Sequence, residues 1–394
     1  MKVMHPNPTK QILTVLLFAS VVTVTGHAQN AAGADKGPAN IAAALKPFVD
    51  SNEMAGAVTL VADKDKILDI ESVGYADLAT KAPMTKDTMF WIASMSKPIA
   101  ATAMMMLVDE GKVKLDDAVE KYLPEFKGQM YIAEKDENHM LLKKPSHPIT
   151  IRNILSHTSG LPPISPIEKP TFDMLKLETA VRSHAMSPLN FDPSSSYQYS
   201  NAGINTAGRI IEVVTGEPYQ KFLQERLLDP LGMKDTVWIL TDEQVQRLAK
   251  SYKATPAGLQ EIPISQVHYP LTDPKRQPFP AGGLFSTASD VAKFGQMILN
   301  GGIMDGKRYV SEESVDKMTH KETPAKVPQE YGFGFGTSGG TFGHGGAYKT
   351  NLNINKKLGL VTVFMVQQGS NWPTKAGDTI LPTFEKAADQ LYGK

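Results

Sequence analysis

The chain has 394 residues, with 41 Lys+Arg against 41 Asp+Glu, and its 41% hydrophobic and 21% charged content is that of an ordinary globular protein. This balance leaves no basic footprint for nucleic acid or an anionic membrane. With no cysteine, disulfides, thiol nucleophiles, cysteine-ligated metals and a lipidated cysteine are excluded.

At the start, Lys2 and Lys10 precede the apolar run Ile12 to Val24 and the small-residue stretch Gly26-His27-Ala28. This pattern predicts an export signal over 1–28 and a periplasmic or secreted destination. The run is shorter than the roughly 20 apolar residues that span a bilayer, so no membrane span is expected after cleavage. A polar lead-in follows, then a short amphipathic helix from Ile41 to Val49. Two strand-like runs, Ala57 to Val61 and Ile67 to Ile70, flank the charged turn Asp63-Lys64-Asp65-Lys66, which is a hairpin signature.

From Ser94 to Glu110 the residues favour helix, ended by Gly111. Pro98 sets the register, because proline is tolerated in the first turn, where N–H groups lack intrahelical partners, and so Ser94 sits at the helix start. Between Leu115 and Pro280, helical segments such as Gly203 to Val214 alternate with proline-rich connections. Thr287 and Asp290 form a capping-box pattern before the helix Val291 to Leu299. Strand-like runs Leu352 to Asn355 and Leu360 to Val366 come next, and a helix from about Ala376 to Leu391 closes the chain. Strands at both ends around a helical middle predict an α/β (α+β) fold: an antiparallel sheet flanked by helices, with an inserted mainly helical subdomain. The sheet domain is then 29–114 with 281–394, the subdomain 115–280, and the whole one catalytic unit.

A serine hydroxyl is not ionised near neutral pH, so a catalytic serine needs an adjacent base. Three residues on, Lys97 shares a helix face with Ser94, and Phe90, Trp91, Ile92 and Met95 offer apolar surroundings that would lower its pKa. The helix start adds N–H groups and a dipole that favour negative charge at Ser94. A Ser-x-x-Lys tetrad alone is a weak signal, and Ser96 and Lys97 read equally as a solvated helix face.

Order and context add to it. Phe90-Trp91-Ile92-Ala93-Ser94-Met95-Ser96-Lys97, then Tyr199-Ser200-Asn201, then His344-Gly345-Gly346 resemble the serine β-lactamase and penicillin-recognising hydrolase superfamily. The likeness is strongest to its class C-like branch, which includes family VIII carboxylesterases and D-amino-acid peptidases. Ile154 to Pro162 and Ala281 to Thr287 extend it over nearly the whole mature chain. The resemblance implies a β-lactamase-like fold in which Ser94 attacks a carbonyl while Lys97 and Tyr199 shuttle the proton. A nearby ammonium can favour the Tyr199 phenolate. It further implies that Asn201 contacts substrate or holds Lys97, and that backbone N–H groups of Ser94 and Ala347, just after His344-Gly345-Gly346, form an oxyanion hole.

Two patterns compete for attention. Gly336-Thr337-Ser338-Gly339-Gly340 matches the Gly-x-Ser-x-Gly nucleophile elbow, but an elbow needs a helix behind it and this segment continues as Thr341-Phe342-Gly343-His344-Gly345-Gly346. A tight turn between strands is expected there. His157, with Ser159 nearby, invites a Ser-His reading, yet a buried, hydrogen-bonded histidine in a structural turn is expected.

The pattern departs from its relatives at His344, where β-lactamases and peptidoglycan peptidases carry a lysine that attracts the substrate carboxylate. Histidine is only partly protonated near neutral pH, and Gly345 and Gly346 leave room for bulk. Lys349 and Thr350 lie close, but their offset assigns them to the next turn. Ester-hydrolysing members of the branch commonly carry histidine or tryptophan before the Gly-Gly. A carboxylesterase on short acyl esters is therefore the first expectation, a β-lactamase or D-stereospecific peptidase the second, and a non-turnover penicillin-binding or sensing module the third. The partner is a small-molecule ester, lactam or D-peptide. No cofactor is called for, and no metal, since the 9 histidines show no His-Glu-x-x-His pattern.

Overall fold

The structure is a computed structural model that describes residues 38–169, 171–369 and 371–393. The export signal expected over 1–28 lies outside the described residues. The described chain begins with α1 (Ile41–Asp50), capped by the Asn40 side chain, which accepts from the Ala43 N–H. Strands β1 (Gly56–Ala62), β2 (Ile67–Asp77) and β3 (Ala82–Pro83) follow. Next come α2 (Ser96–Asp109), α3 (Ile151–Leu155), α4 (Leu177–Ala185), α5 (Asn201–Thr215) and α6 (Ala288–Leu299). The chain closes with β4 (Gly336–Ser338), β5 (Thr341–Gly345), β6 (Asn351–Asn355), β7 (Leu360–Met365) and α7 (Ile380–Tyr392).

The seven strands form one antiparallel sheet in the order β4-β5-β6-β7-β1-β2-β3. N- and C-terminal segments therefore meet at its centre, with Val58 opposite Met365 and Leu60 opposite Val363. Side chains alternate between the faces. Val58, Leu60, Ala62, Val361, Val363 and Met365 join the main core with α2 and α6, whereas Ala57, Val61, Leu360 and Phe364 join Ile41, Leu45 and Phe384 of α1 and α7. Both faces are covered, which is why β1 is buried along its whole length, Thr59 included.

The middle of the chain carries α3, α4 and α5, and also two β-hairpins, Tyr131–Lys135 with Met140–Lys143 and Ser251–Thr255 with Gly258–Ile262. The expected capping box at α6 is half realised. The Thr287 side chain accepts from the Asp290 N–H, but the Asp290 carboxylate turns to the Asp235 N–H, Thr236 Oγ1 and Lys293 Nζ instead. A carboxylate offered three donors elsewhere does not reach back to its own cap. Among the described residues, no helix is long and apolar enough to cross a membrane.

Candidate active site

Phe90–Trp91 pairs with Phe285–Ser286, and the Ile92 N–H donates to Leu284 O at 3.0 Å. This clasp leads into the 3₁₀ turn Ala93–Met95, where Ala93 holds a left-handed φ of 46°. A non-glycine residue pays about 1–3 kcal/mol for such a conformation, which persists because its neighbours hold it. Ser94 follows, and α2 begins two residues later, so the serine stands at the helix start that Pro98 requires.

Lys97 is fully buried at 0% exposure. Its Nζ donates to Ser94 Oγ at 3.0 Å and to Ala281 O at 2.7 Å, and lies 4.6 Å from the centre of the Tyr199 ring. Loss of water holds the amine well below the ordinary lysine pKa, which favours the neutral, proton-accepting form. The alternative reading of Ser96 and Lys97 as a solvated face is ruled out, since both are buried.

Tyr199 ends the segment before α5, and the Ser200 side chain caps that helix by accepting from the Gly203 N–H at 3.4 Å. Its phenol interacts with the Ser94 side chain. Burial drives its pKa above the ordinary phenol value, with the Ser94 interaction acting in the opposite sense. Even with 37% of the residue open to the cleft, the direction is upward. The phenolate expected from a neighbouring ammonium is corrected accordingly: desolvation acts against the phenolate of Tyr199 and against the ammonium of Lys97 alike.

Asn201, the first residue of α5, does not hold Lys97. Its Oδ1 is buried without a partner among the described residues, and the lysine's second acceptor is the Ala281 carbonyl. His344 lies on β5, its ring 5.9 Å from that of Tyr199. Its Nδ1 is 2.7 Å from Gly345 O, and since a carbonyl only accepts, Nδ1 carries the proton and Nε2 keeps its lone pair. Desolvation first and the nearby Lys97 second lower its pKa to about 3. Part of His344 stays open to the cleft, but the imidazole is neutral at physiological pH.

Gly346 is sterically required, because a Cβ there would stand 2.1 Å from Thr350 Oγ1 and 2.5 Å from Ile92 O. The Ala347 N–H just beyond has no hydrogen-bond partner among the described residues. Lys349 does not supply a cation to this cleft: its Nζ lies 5.5 Å over Trp372, which packs against the α1 and α7 cluster. Thr350 Oγ1 donates to Ile92 O at 3.3 Å.

The two competing patterns part ways. Ser338 is exposed at the end of β4, and Gly339 and Gly340, with φ of 56° and 88°, turn the chain directly into β5, with no helix behind it. His157 is buried, with Nδ1 accepting the Ser200 N–H at 3.2 Å, as a structural histidine should be. It also packs at 4.6 Å against the Tyr199 ring and 4.7 Å against Tyr331. Tyr197, Tyr331 and the Ala281 carbonyl belong to the surroundings of the site, and the sequence reading did not name them. The Ala281-Gly282-Gly283 stretch was the available signal: Trp91 Nε1 donates to Gly282 O at 2.8 Å and the Leu284 N–H to Ser96 Oγ at 3.3 Å, which makes it a strap behind Lys97.

Known proteins resemble this chain in sequence and fold. Residues 41–381 fit a family model described as Beta-lactamase. An uncharacterized protein of Mycobacterium tuberculosis is 30% identical over 362 residues, spanning 82% of this chain and 88% of its own length. The esterase EstB of Burkholderia gladioli is 30% identical over 288 residues, spanning 65% of this chain and 69% of its own. Among solved structures, EstCE1, a hydrolase with promiscuous acyltransferase activity, superposes with a TM-score of 0.73 at 24% identity, over 88% of this chain and 97% of that one. The D-amino acid amidase of Ochrobactrum anthropi SV3 does so with a TM-score of 0.68 at 23% identity, over 89% and 98%.

Proposed function

The chain belongs to the beta-lactamase family of serine hydrolases, and within it we propose a carboxylesterase that forms an acyl-enzyme at Ser94 on short, uncharged acyl esters. The observation that carries this reading is the neutral His344, with Lys349 turned away onto Trp372, in the place where a carboxylate-binding cation would stand. The esterase relative supports it.

In the proposed reaction, Lys97 accepts the Ser94 proton as Oγ attacks the ester carbonyl, and the oxyanion is met by the N–H groups of Ser94 and Ala347. The carbon–oxygen bond to the alcohol then breaks, with the leaving oxygen taking a proton from the Tyr199 phenol, which Lys97 restores. Water, giving its proton to the same pair, attacks the acyl carbonyl; the bond to Ser94 Oγ breaks, the pair returns the proton to it, and the acid is released with Ser94 restored. The export signal expected over 1–28 is consistent with a periplasmic or secreted site of action.

The test is a parallel assay of the purified mature protein on a p-nitrophenyl short-chain ester, a chromogenic cephalosporin and a D-alanyl dipeptide. Turnover of the ester alone or foremost is expected, and loss of that turnover in Ser94→Ala. Faster turnover of the cephalosporin or the dipeptide would replace this reading by that of a β-lactamase or a D-peptidase.

A further inference from the structure

Behind the Ala281-Gly282-Gly283 strap lies a buried polar group that the proposed reaction does not use. Glu168, 3% exposed, accepts the Ser165 N–H at 2.7 Å, and the Ser165 and Asn205 side chains next to it favour its charged form against burial. Asn205 Oδ1 in turn accepts the Ala281 N–H at 3.1 Å. One turn further along α5, Gly208 presses on Pro280, where a Cβ would stand 2.5 Å from the proline Cγ. Residues 205 and 208 share a helix face, so α5 fixes the 280–281 segment at two points. The carbonyl of that same Ala281 accepts from Lys97 Nζ at 2.7 Å.

The titratable side chain that faces Glu168 is His184 of α4, its Nε2 3.4 Å from the carboxylate. Ser183 Oγ, 2.6 Å from Ser165 Oγ, completes the group without adding charge. Both His184 nitrogens are otherwise unpartnered among the described residues, and burial takes its pKa down to about 4 while that of Glu168 rises to about 7.

We infer that Asn205 and Glu168 are positioning residues for Lys97: the carboxylate orients the Asn205 amide, which fixes Ala281, whose carbonyl holds the lysine amine against Ser94. The inference rests on the reading of Lys97 as the activator of Ser94. A buried amide with one donor end and one acceptor end suits this task, since Glu168 takes the donor end and leaves only the carbonyl for Ala281. Glutamine at 168 still offers a carbonyl to the Asn205 amide, whereas leucine offers nothing.

The experiment is the rate at which a fluorophosphonate probe labels Ser94 across pH, with kcat and KM on the p-nitrophenyl ester and the thermal midpoint as companions. Asn205→Ala is expected to slow labelling and kcat by about tenfold or more, since small misplacements of catalytic groups have large effects, while leaving KM nearly unchanged. Its acid limb should move to lower pH, because a loosened Ala281 carbonyl no longer favours the ammonium form of Lys97. Glu168→Leu should behave like Asn205→Ala, and Glu168→Gln should restore most of the rate. Labelling by Asn205→Ala at the wild-type rate, or slowed with an unmoved acid limb, overturns the inference while leaving Ser94 as nucleophile. Absence of Ser94 labelling in the wild type overturns the reading beneath it.

Discussion

Two serines in this chain sit in motifs that suggest a nucleophile, and the structure gives them opposite surroundings. Ser94 follows a strained Ala93, opens a buried helix, and lies 3.0 Å from an amine stripped of water. Ser338 lies exposed on a two-strand turn, with glycine on its C-terminal side and, among the described residues, no base hydrogen-bonded to it: its backbone carbonyl accepts from Thr341 Oγ1 at 2.9 Å. Reactivity at a hydroxyl comes from a base held in low dielectric and a fixed approach for the carbonyl, and four or five letters of sequence encode neither. The contrast is broken most directly by exchanging which serine is lost. Ser94→Ala is expected to lower kcat on the p-nitrophenyl ester by about 10⁶-fold, the scale for removal of a catalytic nucleophile. If Ser338→Ala produces that loss instead, the assignment is reversed.

The next largest effect is expected at Tyr199→Phe. Its hydroxyl interacts with Ser94 and is the acid in the proposed leaving-group step, so its loss should lower kcat by about 10²–10⁴-fold, the range for general acid–base groups. KM should stay near its wild-type value. A smaller, directional effect is expected from His344→Lys. The imidazole is neutral, with a pKa near 3, so lowering the pH from 8 to 5 should leave the wild-type preference for neutral over carboxylate-bearing esters unchanged. A lysine there should raise kcat/KM for a carboxylate-bearing ester about tenfold relative to its neutral analogue, one close ion pair being worth about 1–2 kcal/mol. An unchanged ratio would detach His344 from substrate charge selection.

Much of this was legible in the sequence because it depends on local rules. Pro98 set where α2 starts, the short strand-like runs bounded by turn residues gave the central strands, and the glycines after Ser338 excluded a helix. The residues that the three motifs single out, Ser94, Lys97, Tyr199 and His344, lie together in the fold. What the sequence left unread depends on long-range packing. The second acceptor of Lys97 is a backbone carbonyl 184 residues away, and a backbone atom carries no letter. His157 was expected to be structural, and it is, but nothing local indicates that its ring lies against Tyr199. The Tyr199 phenolate was argued from charge alone, whereas burial acts on both partners and reverses the conclusion. Nothing in the residues around Glu168 marks it out, and only the packing that buries it does.

Burial of Glu168 also makes a stability statement. Its pKa is raised from 4.5 to about 7, so the folded chain binds the proton more tightly than the unfolded one, and stability falls as pH climbs from about 4.5 to about 7. Glu168→Gln, which cannot ionise, should flatten the thermal midpoint across that window. A wild-type midpoint that already stays level there would show that the carboxylate is not held protonated.

The smallest effect belongs to the other serine's turn. Gly340 holds a φ of 88°, and nothing lies within 4 Å of where its Cβ would be, so Gly340→Ala introduces backbone strain and no clash. A left-handed non-glycine residue costs about 1–2 kcal/mol, so the thermal midpoint should drop by a few degrees. The turn joins β4 to β5 at the far end of the strand from His344, and the pairing of Gly345 with Asn351 anchors that end independently. Turnover at 25 °C should therefore stay close to wild type. A loss of kcat in Gly340→Ala comparable to that of Tyr199→Phe would mean that strain at the Ser338 turn travels along β5 to His344, and the separation drawn between the two serines would fail.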